Sequence, residues 1–128
     1  MVVLDTNIII DHLRLQSAKA DSKLMHIARQ KPKETLAISI ISVQELYEGR
    51  STKDGQKEQY LLATISPLKI LPYSYDIAKL AGEIARDLER PIELADATIA
   101  ATTILNGSSL MTSNTKDFVG IPRLQLIT

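Results

Sequence analysis

The run Val2-Val3-Leu4-Asp5-Thr6-Asn7 constrains this chain more than any other stretch. Its three apolar residues read as a short buried strand. Asp5 closes that strand, and Thr6 or Asn7 is placed to cap a helix running from about Ile8 to Leu15. An acid at the carboxyl end of a buried strand stands where open α/β sheets gather their chemistry. Alone, Asp5 reads equally well as an ordinary helix-capping acid. What decides between the two readings is whether other acids come back to the same edge.

The rest of the chain repeats the alternation of strand and helix. Residues 17–31 read as helical, with Leu24, Ile27 and Ala28 as a partial apolar stripe, broken at Lys31-Pro32-Lys33. Residues 35–41 (TLAISII) are the second buried strand. Ser42-Val43-Gln44-Glu45 then fits a capping box, Ser followed three residues later by Glu, and predicts a helix to about Gly49. After a polar turn over 51–55, a helix over 56–65 points Leu61, Leu62 and Ile65 inward. Residues 68–71 form a third strand between Pro67 and Pro72. Ser74 caps a helix over 75–90 whose stripe is Ile77, Leu80, Ala81, Ile84, Ala85 and Leu88. A further helix over 94–106 buries Leu94, Ala97, Ala100, Ala101, Ile104 and Leu105, with Gly107 just past its end. Strands over 109–112 and 124–127 flank a loop or short helical turn. This pattern predicts a three-layer α/β/α sandwich on a mostly parallel sheet of about five strands, in a single domain over residues 1–128.

Composition narrows the chemistry. There are no cysteines and only two histidines, His12 and His26, which excludes thiolate sites and multi-histidine zinc sites. Any metal is therefore held by oxygen, which favours magnesium or manganese. Lys+Arg and Asp+Glu are 15 each, so net charge gives no pointer to nucleic acid. No run of 18 apolar residues exists, so no membrane span is expected. Met1 leads straight into a core strand without a secretory segment, so a cytoplasmic location is expected.

Four acids fall in one kind of place. Asp5 ends the first strand, Glu45 lies in the first turn of the helix after the second, Asp96 starts the helix near Leu94, and Asp117 follows the fourth strand. In a parallel sheet, strand ends and following helix starts share one edge, so these carboxylates can converge. Like charges brought together raise one another's pKa. A divalent cation removes that cost, lowers the pKa of bound water and polarises a phosphoryl oxygen. Plainer readings exist for each: Asp5 as a cap, Glu45 completing the capping box, Asp96 favouring a helix dipole, Asp117 simply solvated. Thr6 and Asn7 read as caps that also hold Asp5, and Asn114 as a turn residue. Among the basic residues, Arg50 and Lys116 stand nearest the acidic motifs as candidates to hold substrate phosphates.

Leu4-Asp5-Thr6-Asn7, Ser42-Val43-Gln44-Glu45-Leu46, Asp96-Ala97-Thr98-Ile99-Ala100-Ala101-Thr102 and Thr112-Ser113-Asn114-Thr115-Lys116-Asp117-Phe118 together resemble, in order, the motifs of the PIN-domain nucleases. The closer resemblance is to the VapC-type toxins of toxin–antitoxin pairs. It implies a magnesium- or manganese-dependent endoribonuclease, a hydrolase using metal-activated water on RNA. Asp5, Glu45 and Asp96 are then the core metal-binding acids, Asp117 contributes less directly, and Thr112 and Asn114 orient acids, water or phosphate. It further implies a cognate antitoxin and a homodimer. The alternatives are a PIN nuclease in RNA processing without an antitoxin, and a PIN-like module that binds RNA or protein without cutting. One departure is visible: Glu89-Arg90-Pro91-Ile92 stands where the family often has a glycine-containing turn. A haloacid-dehalogenase-type phosphatase needs a second Asp two residues after the first, where this chain has Asn7. A response-regulator receiver domain needs an adjacent acidic pair near the N-terminus, which this chain lacks.

Overall fold

The computed structural model describes residues 1–128 apart from Ser17, Lys19 and Thr128. The strands are β1 (Val2–Leu4), β2 (Leu36–Ser39), β3 (Lys69–Leu71), β4 (Ser109–Met111) and β5 (Leu126–Ile127). The helices are α1 (Thr6–Leu15), α2 (Lys23–Gln30), α3 (Ile40–Glu48), α4 (Gly55–Ile65), α5 (Tyr75–Asp87) and α6 (Leu94–Leu105), with short 3-10 turns at Arg50–Lys53 and Thr115–Asp117. The strands lie in the order β3-β2-β1-β4-β5, and every neighbouring pair is parallel.

Side-chain alternation divides the core between the two faces of the sheet. Val3, Ala37, Leu71 and Leu110 point to a layer made with α5 and α6, through Ile77, Ala81, Ile84, Ala97, Ile99, Ala100 and Ala101. Val2, Leu4, Ile38 and Met111 point the other way, to Ile8, Ile9, Leu24, Ile27, Leu61 and Ile65 of α1, α2 and α4. Helix α3 packs against both α1 and α6, so it bridges the two layers at one edge. The expected three-layer sandwich is therefore present, with an entirely parallel sheet.

Strand β1 pairs with β2 on one side and β4 on the other. The chain runs outward to β3, returns, and continues through β4 to β5, so the strand order reverses beside β1. A crevice opens at such a switch point, outside the carboxyl ends of the strands. Asp5 and Thr112 each follow directly on one of these two strands, and Asp5 N–H donates to Met111 O at 2.9 Å, extending the pairing past the strand ends.

Several boundaries differ from the sequence-based expectation. Asp5, not Thr6 or Asn7, caps α1, because its carboxylate accepts Thr6 N–H and the helix begins at once. Ser39, not Ser42, caps α3, accepting Ile41 N–H. Glu45 therefore lies beyond the first turn and completes no capping box. Helix α2 is shorter than expected and starts after Ser22, whose hydroxyl accepts Met25 N–H; Ser17, the expected start, lies outside the described residues. Ala28, Leu62, Ala85, Leu94 and Leu105 are exposed rather than inward. Helix α5 stops at Asp87, and residues 88–93 form the loop that enters α6.

Candidate active site

Asp5 is buried and fixed at both oxygens. Oδ1 accepts Thr6 N–H at 2.8 Å, and Oδ2 accepts the Thr112 hydroxyl at 2.7 Å across 107 residues of sequence. Thr112 Oγ1 in turn accepts Asn114 N–H at 3.0 Å. Thr112 is 1% exposed, so this chain of contacts lies out of solvent. Burial pushes the Asp5 carboxyl up, and the two hydrogen bonds pull against that; Glu45 and Asp117 add a further upward push.

Glu45 reaches the cleft from the second turn of α3. Thr6 Oγ1 lies 2.6 Å from Glu45 Oε1 and 2.8 Å from Ser42 Oγ. A hydroxyl has one proton and an ionised carboxylate only accepts, so Thr6 gives its proton to Glu45. Ser42, with no exposed surface, packs beneath this contact.

Asp96 enters from the first turn of α6. That helix is buried along most of its length, and its hydroxyls are satisfied internally: Thr98, Thr102 and Thr103 each donate to the carbonyl four residues earlier. Its alanines, Ala97, Ala100 and Ala101, allow close packing. Asp96 itself accepts no hydrogen bond among the described residues. Its carboxyl is pushed up to about 7, first by burial and then by Asp5, Asp117, Glu93 and Glu45. Asp117 sits in the 3-10 turn Thr115–Asp117, with Oδ2 accepting from Asn114 Nδ2.

These groups line one cleft of about 600 Å³, together with Asn7, Ile10, Glu48, Arg90, Pro91, Ile92 and Glu93. Among the described residues, six acids and one basic residue, Arg90, thus line the cleft. Of the expected site residues, Asp5, Thr6, Asn7, Glu45, Asp96 and Asp117 line the cleft, while Thr112 and Asn114 hold two of its acids from behind. Asn7 forms no hydrogen bond with Asp5 among the described residues; its Oδ1 is buried without a hydrogen-bond partner. Arg50 and Lys116 are exposed and do not line the cleft.

The donor set is all oxygen and strongly anionic, which suits a hard divalent cation. Among the described residues, no three of these side chains stand close enough to enclose an ion by themselves.

Residues 2–124 match the PIN domain. Ribonuclease VapC2 of Rickettsia felis is 32% identical over 129 residues, spanning 97% of this chain and 94% of that protein. The chain belongs to the PIN-domain family, among its VapC ribonucleases. The fold agrees. The crystal structure of VapBC2 from Rickettsia felis bound to a DNA fragment from their promoter gives a TM-score of 0.84 at 30% identity, over 99% of this chain and 98% of that one. A toxin–antitoxin complex from Klebsiella pneumoniae gives 0.77 at 31% identity, over 100% and 97%.

Two residues of this PIN domain escape sequence reasoning. Ser42 looks like a helix cap and is instead the buried neighbour of Thr6. Arg90 lies in the loop that departs from the usual family turn, and it is the guanidinium of the cleft. The sequence signal for Arg90 was only its closeness to Asp96, six residues on.

Proposed function

We propose that the acidic cleft hydrolyses RNA phosphodiester bonds with magnesium or manganese, and that the chain acts as the toxin of a toxin–antitoxin pair in the cytoplasm. One observation carries the nuclease reading: carboxylates from the end of β1, from α3, from α6 and from the turn after β4 share one cleft, where burial first and then the neighbouring acids push the Asp96 carboxyl up to about 7. A fold that brings these acids together with none of them ion-paired among the described residues leaves a place for a cation. When bound, the cation supplies a lowered water pKa and polarisation of the scissile phosphate. Asp5, Glu45 and Asp96 are the residues to hold it, with Asp117 as a less direct fourth.

The chain's own groups prepare that role. Thr112 and Thr6 fix the orientation of Asp5, and the Thr6 hydroxyl fixes Glu45, so two acids are held before any ligand arrives. Asn114 aligns Asp117. The names of the similar proteins support ribonuclease activity and an antitoxin partner; a homodimer completes the reading.

Purified protein incubated with RNA and magnesium tests it, with the RNA ends sequenced. Cleavage is expected to need the metal, to stop with a chelator, and to vanish in Asp5→Asn. Undiminished cleavage by the Asp5→Asn/Asp96→Asn double variant overturns the assignment.

A further inference from the structure

Among the described residues, Arg90 is the one basic side chain lining a cleft that also holds six acids. A guanidinium in that setting ordinarily forks onto a carboxylate. Arg90 forms no salt bridge among the described residues. It spends Nη2 on the backbone instead, donating to Val119 O at 2.7 Å and to Asp117 O at 3.1 Å. One nitrogen carries two N–H groups, so both are used.

The two carbonyls bracket Phe118, whose side chain is 1% exposed in the core with α5 and α6. Residues 117–119 are thus tied down by a buried ring and, at the two flanking carbonyls, by the guanidinium. The tie begins just before Pro91, whose fixed φ stiffens the loop leading into α6 and Asp96. Arg90 therefore spans the gap between the entry to the Asp96 helix and the turn that bears Asp117. We propose that Arg90 is a positioning residue that sets Asp117 against Asp96 through these two carbonyl contacts, rather than a cation that holds substrate phosphate. This rests on the nuclease reading of the cleft.

The test separates geometry from charge. Arg90→Lys keeps the charge and the aliphatic stem but loses the planar fork; Arg90→Gln loses both charge and reach. Both are expected to lower kcat for metal-dependent RNA cleavage about 10–100-fold, with KM within about twofold. In an Asp117→Asn background, neither is expected to lower kcat further, because the residue Arg90 acts through is already disabled. Full activity in Arg90→Lys alone overturns the proposal, as does a rise in KM at unchanged kcat, or an equal additional loss in the Asp117→Asn background. Thermal melts establish folding, and if Arg90→Gln fails to fold, the lysine variant and its double variant decide. Absence of metal-dependent cleavage by the wild type removes the nuclease reading and the proposal with it; cleavage that Arg90→Lys matches removes the proposal alone.

Discussion

Asp5 and Asp96 face the same cleft and are held in opposite ways. Asp5 follows β1, is buried, and has hydrogen bonds at both oxygens. Asp96 stands in the first turn of α6, half-buried, with no hydrogen bond among the described residues and with burial and four acids pressing on it. The fold preorganises the first carboxylate and leaves the second unsatisfied. On the proposed function, the first acid has its direction set in advance, and the second gains most when a cation offsets the charge around it.

The largest expected effect is shared by the two acids and the next divides them. Asp5→Asn and Asp96→Asn are each expected to lower RNA cleavage by about a hundredfold or more, read as initial rates at saturating magnesium. Their metal-free stabilities should move in opposite directions. Asp5→Asn turns an NH2 group toward one of two donors, Thr6 N–H or the Thr112 hydroxyl, and should lower the melting temperature. Asp96→Asn removes a repelled charge that no hydrogen bond holds, and should raise it. Equal shifts in the two melts break the contrast.

A smaller effect tests how Asp5 is fixed. Thr112→Val keeps the shape but strips Asp5 Oδ2 and Asn114 N–H of their shared partner. It should cost about 1–3 kcal/mol in chemical denaturation, the ordinary penalty for buried polar groups left unpaired.

The pH dependence tests how Asp96 is not fixed. Its folded pKa is raised from 3.8 to about 7, so the fold favours the protonated acid. The corresponding stability is fully present below about pH 4 and is lost as pH rises towards 7. Asp5 is raised as well and adds in the same sense. Metal-free protein should therefore melt lower at pH 7.5 than at pH 5, and Asp96→Asn should flatten that slope. Ser42→Ala is the mildest change: it removes a buried hydroxyl beneath the Thr6–Glu45 contact and should cost about 1 kcal/mol by the same denaturation.

Much of this contrast is legible in the sequence, down to which strands and helices bear the four acids. Short apolar runs ending in Asp5 and at Thr112, and an alanine-rich helix opening at Asp96, suffice to place them on one sheet edge. What the sequence conceals is which neighbour each side chain touches. In Ala37-Ile38-Ser39-Ile40-Ile41-Ser42, two serines three apart can each end a strand and cap a helix. The Glu three residues after Ser42 favours the wrong one, because β2 stops pairing at Ser39 and buries Ser42 against Thr6. Leu94 and Leu105 obey the helical period yet stand at the two ends of α6, where they remain exposed. Arg90 was visible only as part of an unusual loop, since a guanidinium bound to backbone carbonyls leaves no motif.

On the proposed function, the cleft takes up a divalent cation, and Asp96 is the acid that no hydrogen bond holds beforehand. Calorimetric titration of manganese into metal-free protein at pH 7, repeated in buffers of different ionisation enthalpy, tests it most directly. A carboxyl near pKa 7 gives up its proton when a cation binds, so saturable binding is expected whose heat depends on the buffer, with loss of that dependence in Asp96→Asn. Absence of binding, or binding whose heat is the same in every buffer and unchanged by Asp96→Asn, contradicts it.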